Sequence, residues 1–313
     1  MDRFYDRERA AERLDGMAKD RRELLNIRVN SSAVHMADMQ TDDLRVMELT
    51  DGKQNWRLCL QDTEDDVSDE MVVRIQGVLT KNNLVPKNTR MCSQQKAQFL
   101  SQSAEITGLR TDTFAIAIGN LTAIEQKFGE HLPGTDVVGS ECGNIKSCTF
   151  AASNRIFTSQ GDAPTEQDTA FHEGVDPMGH MARLKTGDLI HAPDNMVKYF
   201  KRAQVKGSNS FRYEPYVPGG FKIGDIVEMQ VSFVAIAAGT NRVKVTSRLQ
   251  ALTLLDHKFA KEASEERRRV LAVQEPSPAI RRKVGYFAED EEDERKIKRS
   301  RSRTPERDAG PSG

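Results

Sequence analysis

Nowhere in the 313 residues is there an apolar run of about 18, the length a membrane-spanning helix needs. The opening stretch, MDRFYDRERAAERLDG, also lacks the apolar core of a secretory signal, so an intracellular protein without membrane attachment is expected. Cysteine is scarce: Cys59, Cys92, Cys142 and Cys148 are scattered, which excludes a disulfide framework, and no C-x-x-C pair occurs. The chain has no H-E-x-x-H, no phosphate-binding G-x-x-x-x-G-K-[ST], no G-x-G-x-x-G and no G-x-S-x-G. The glycines of PGGFKIGD lead into a strand pattern and not into a helix, so they build no phosphate cradle. No cofactor and no catalytic residue is therefore expected. An enzyme would need a site assembled only in three dimensions, for example by convergence of His172, His180 and His191 with Glu173 and Asp176.

Charge is plentiful but segregated. Lysine and arginine number 46 against 47 acids, a net charge of −1 that hides acidic and basic blocks at the ends. The clearest pattern is GDIVEMQVSFVAIAAGTNRVKVTSRLQALTLLD, residues 224–256, where Val227, Met229, Val231, Phe233 and Ala235 alternate with polar positions and the alternation resumes after the glycine. A three-residue turn would set Phe233 opposite Val245 and Met229 opposite Leu249, with Lys244 and Arg248 on the polar face.

The remaining pattern predicts an α+β chain with a helical first half and an antiparallel β-rich second half, closed as a small barrel or sandwich, between disordered charged termini. The expected divisions are a charged arm and linker over 1–53, a mixed core over 54–260 that turns β-rich near 145, a helix over 261–275 and a disordered acidic-basic tail over 276–313. Within the core, Ser68 is expected to cap a helix closed by Asn82-Asn83, Ser93 to cap another over QQKAQFLSQSAEI, and PDNMVKYFKRAQV to form a third opened by Pro193 and Asp194. LRVMEL and WRLCL read as strands, and MARLKTGDLIHA as a strand or strand pair.

Two stretches carry candidate function. Residues 198–222 interleave Lys198, Lys201, Arg202, Lys206 and Arg212 with aromatic rings, of which Tyr199, Tyr213 and Tyr216 are candidates for stacking on bases while the cations meet phosphate. Lys244 and Arg248 on the neighbouring hairpin could add phosphate contacts. In the tail, Arg295, Lys296, Lys298, Arg299, Arg301 and Arg303, with Arg281, Arg282 and Lys283 upstream, match what a nuclear import carrier reads. Phosphorylation at Ser300, Ser302 or Thr304 would cancel part of that charge. The expectation is a nuclear, non-enzymatic protein bound to single-stranded or non-specific nucleic acid. The alternative is a protein-interaction module without nucleic acid, cytoplasmic if the tail serves only solubility.

GVDPMGHMARLKTGDLIHAPDNMVKYF and FKIGDIVEMQVSFVAI, with LQALTLLD after the turn, resemble a group of uncharacterised proteins from mushroom-forming fungi, over residues 171–260. The likeness departs at TNRVKVTSRLQ, which is more polar than that group's pattern. The resemblance implies a single β-rich domain in this region and leaves the function open.

Overall fold

A computed structural model describes residues 1–27, 34–42, 44–49, 54–60, 69–85, 94–139, 143–144, 149–207, 210–273 and 294–297. Helix α1 (Arg7–Ile27) precedes strands β1 (Leu44–Leu49), β2 (Asn55–Leu60), β3 (Val73–Asn83) and β4 (Ser101–Thr107), then helix α2 (Asp112–His131). The short β5 (Asp136–Val138) and β6 (Gly143–Asn144) lead to β7 (Thr149–Arg155). A small pair, β8 (Thr158–Ser159) and β9 (Leu189–Ile190), encloses α3 (His180–Leu184), and the hairpin of β10 (Lys198–Gln204) and β11 (Phe211–Pro215) follows. The longest strands, β12 (Ile226–Gly239) and β13 (Arg242–Asp256), run into α4 (Lys258–Val273). Residues Met1–Arg267 form one compact unit, and Arg268–Gly313 fall in a second.

The pairings close on themselves. β12 pairs with β3, β3 with β4, β4 with β7, β7 with β13 through Ser153 and Arg248, and β13 returns to β12. Two ribbons extend this ring: β2 and β1 continue outward from the far half of β12, and β10 and β11 from the far half of β13. Alternation puts Ile75, Ile106, Phe150, Met229, Phe233 and Val245 into one apolar core, joined by the Phe114, Ile118, Leu121, Ile124 and Phe128 stripe of α2. A second cluster lies elsewhere: Tyr5, Ala10, Leu14 and Met17 of the N-terminal segment and α1 pack with Val78, Ile226, Leu255 and Phe259. The Tyr5 hydroxyl pins this cluster by donating to the Gly224 carbonyl at 2.8 Å.

The long hairpin forms where the alternation places it, with its register moved by two positions. Phe233 faces Ser247 and Ala235 faces Val245, because Gly239 pairs with Arg242 and the chain reverses in two residues. Gly239 at φ 142° and Asn241 at φ 54° supply the backbone that this tight turn requires. The shift of two holds from Val231 to Ala237, and a bulge between Gln230 and Val231 adds one more, so that Met229 faces Leu252 in place of Leu249; Met229, Val231, Phe233 and Ala235 still point into the core.

The expected helical first half is wrong, since strands dominate it. The stretch expected as a helix after Ser68 is β3: Val73, Ile75 and Val78 are β-branched and lie in a strand flanked on both sides, by β12 and β4. Gly77, a weak helix residue, fits because a Cβ there would sit 2.9 Å from the Thr107 carbonyl oxygen of β4. The expected helix after Ser93 is a 3-10 turn, Gln94–Phe99, followed by β4. The expected helix from Pro193 stops after one 3-10 turn, and its remainder is β10, held by parallel pairing to β13. Conversely, MARLK, expected as strand, contains α3, whose first turn is capped by Asp176. Tertiary pairing overrides local propensity in β3, β4 and β10, whereas α3 rests on its local cap.

Candidate nucleic-acid interface

The β10–β11 hairpin sorts its residues by register. Lys201 opposes Glu214 and Ala203 opposes Arg212 on one face; Arg202 opposes Tyr213 and Gln204 opposes Phe211 on the other. On the first face the cations are spent. Lys201 lies 3.2 Å from Glu214, Arg212 pairs with the other oxygen of the same carboxylate, and these two bonds hold Glu214 below the usual carboxylate range.

On the second face the arrangement is different. The Arg202 guanidinium lies 4.4 Å from the centre of the Phe211 ring and donates to the Leu255 carbonyl at 3.4 Å. Among the described residues no carboxylate lies within ion-pair distance of it. Burial pulls its pKa down. Phe211 is 48% exposed and Tyr213 54%, side by side on the strand at the end of the sheet. Burial, then the nearby Glu228 carboxylate, push the Tyr213 phenol up, against Arg74 and Arg202.

The other expected ring residues serve the interior. Tyr199 is buried, with its hydroxyl bonded to Gln102 and its ring 6.0 Å from that of Phe221; it offers no face to a base. Tyr216 is half-buried and meets the same Phe221 edge-on at 5.2 Å. Lys198 and Lys206 are exposed, and Lys244 is half-buried on β13 opposite Ile236. Arg248 does not present a free cation: it shares Asp194 with Arg57, whose two terminal nitrogens both reach that carboxylate. Burial opposes the charge on Asp194, but the two guanidiniums more than offset it and hold its carboxyl low. Arg295 and Lys296 lie in the second unit, in the four described residues 294–297. Arg281, Arg282, Lys283, Lys298, Arg299, Arg301, Arg303, Ser300, Ser302 and Thr304 lie outside the described residues.

The histidines have separate local tasks. The His172 ring accepts from the Gly174 amide at 3.2 Å, and His180 meets Arg183. His191 stacks on Phe171 at 4.0 Å while its Nδ1 meets the Ile156 carbonyl. Among the described residues no three His, Cys, Asp or Glu side chains gather as a metal site. No described helix is long and apolar enough to cross a membrane. Asp176, Asn195 and Asp225 are buried and bonded to neighbouring backbone.

Sequence reasoning missed three residues near this face: Phe211, Arg74 and Glu228. The first was legible in the F-R-Y alternation, had KYFKRAQ been read as its partner strand. The other two sit on β3 and β12 and meet the hairpin only through folding. No family model matches the chain, and no curated protein matches it.

Proposed function

We propose that this is a non-enzymatic binding protein for single-stranded nucleic acid, and that the strand lies on the Phe211–Tyr213 face of the β10–β11 hairpin. One observation carries the reading: two exposed rings in a row flank a guanidinium that has no carboxylate partner. Bases stack on aromatic planes without regard to sequence, and the cation meets the backbone. A fluorescently labelled oligonucleotide of about 12 nucleotides should bind at low salt, and affinity should fall steeply as salt rises. Phe211→Ala and Tyr213→Ala should each weaken binding about tenfold. Both side chains are exposed, so the variants remain folded.

A second reading rests on the backbone of the same strand. Tyr216 and Val205 bond across the hairpin in the alternating pattern that turns the Phe211 and Tyr213 amides away from β10, an open edge for an extended peptide. Pro215, without an amide hydrogen, shortens that edge. If no oligonucleotide binds at low salt, or the double variant binds as well as the parent, the strand reading fails and the peptide edge takes its place.

A further inference from the structure

The strand registers bring more than the hairpin to this face. Arg202 pairs with Tyr213; Phe200, two residues before Arg202, pairs with Thr253; Thr253 pairs with Glu228; and Glu228 pairs with Gln76, two residues after Arg74. Directly opposed residues share a face and so do residues two apart. Arg74, Glu228, Arg202 and Tyr213 therefore all project from the same side of the sheet, and α1 lies along it, with Met17 Sδ 4.0 Å from Arg202 and Arg21 bonded to Gln76 at 3.2 Å.

Glu228 is only 3% exposed, yet it does not satisfy these cations. One of its oxygens accepts from Gln76 at 2.7 Å, while the other stays 3.8 Å from Arg74 Nε, too long for a hydrogen bond. Arg74 Nε is buried without a partner. Arg21 and Arg22 are absorbed by Asp38, at 3.1 and 3.2 Å. Four guanidiniums (Arg21, Arg22, Arg74, Arg202) against two carboxylates (Asp38, Glu228) leave an excess of two positive charges. A phosphodiester would neutralise one of them. A phosphate monoester, carrying about −1.5 to −2 at neutral pH, would neutralise both.

Resting on the strand reading above, we propose that Arg74, Arg202 and the Tyr213 hydroxyl form a seat for the terminal phosphate of a nucleic-acid strand whose adjoining base stacks on Phe211. Glu228 is the seat's like-charged wall and tempers its affinity. The test uses one internally labelled oligonucleotide with a phosphate on its 5′ end, on its 3′ end, or on neither. One phosphorylated form should bind about tenfold more tightly than the bare strand. Arg202→Gln and Arg74→Gln should erase that preference, and Glu228→Gln should enlarge it, a gain that loss of structure would not produce. Equal affinity for all three strands overturns the seat and leaves the strand reading standing. If none of the three binds, the strand reading falls, and phenyl phosphate titrated against the tyrosine NMR signals decides the seat alone: shifts abolished by Arg202→Gln uphold it, and unmoved signals overturn it.

Discussion

Two groups of arginines stand on the outside of the same sheet, and they differ in whether a carboxylate is within reach. Arg57 and Arg248 converge on Asp194, and Arg57 also meets Glu70 at 3.4 Å. Arg202 has no such partner among the described residues, and Arg74 has only the long approach to Glu228. The first group ties β2, β13 and the 3-10 turn before β10 together, and its charge is consumed in doing so. The second group sits beside exposed rings with charge to spare. Basic residues that look alike in the sequence are thus divided by the fold into those fastened by a carboxylate and those left without a close one.

The largest effect should come from removing a fastener's partner. Asp194→Ala leaves the Arg248 guanidinium, 25% exposed, without its counter-charge and Arg57, 18% exposed, with Glu70 alone. The expected loss is about 3 kcal/mol of folding stability in urea denaturation. An unchanged midpoint would mean that these arginines are as loosely held as Arg202, and the division would disappear.

Asp225 is the mirror case, a carboxylate without a cation. It is 1% exposed, Oδ1 has no hydrogen-bond partner, and Oδ2 accepts only the Lys222 amide, at 2.7 Å. Burial pushes its pKa up from 3.8 to about 6, against weaker pulls from Lys222 and His257; Asp256 adds to the rise, and the Asp225 charge acts in turn on the Tyr5 phenol of the N-terminal segment. The folded state holds this proton more tightly than the unfolded chain. Its contribution is therefore fully present below pH 3.8 and lost as pH rises through about 6. Asp225→Asn should then be more stable than the parent above pH 6, by about 2 kcal/mol, with the gap closing toward pH 4. Thermal melts across pH 4 to 8 measure this, and a pH-independent difference would show that Asp225 is ionised throughout.

How much of this was legible in the sequence differs between the two regions. The long hairpin was readable because its two faces differ, and period two survives a register change of two. β3 was not, because a strand paired on both sides and buried in alternation with Gln76 and Gly77 has apolar spacing that also fits a helix. That error hid Arg74, whose carboxylate neighbour on this face, Glu228, comes from β12. The cations of 198–212 were visible as a group. Their division was not, since it depends on KYFKRAQ being a strand: a helix would not have placed Lys201 and Arg202 on opposite sides. Tyr199 and Phe211 look equivalent in the sequence, yet pairing with β13 buries the first and the position of β11 at the end of the sheet exposes the second.

The smallest expected effect sharpens the comparison within the hairpin itself. Glu214 is solvent-exposed enough that its pairs with Lys201 and Arg212 contribute little to stability. Glu214→Gln should leave the urea denaturation midpoint at the parent's value. It also converts the two spent cations into free ones, on the face opposite Phe211. If a bound strand wraps the hairpin's tip, oligonucleotide affinity at low salt should rise severalfold and the slope against log salt should steepen by about one or two charges. The parent should approach this behaviour only well below pH 4.5, where Glu214 finally takes up a proton. If instead the slope is unchanged while Phe211→Ala still weakens binding, the strand touches only the ringed face, and the hairpin separates a working side from a neutral one.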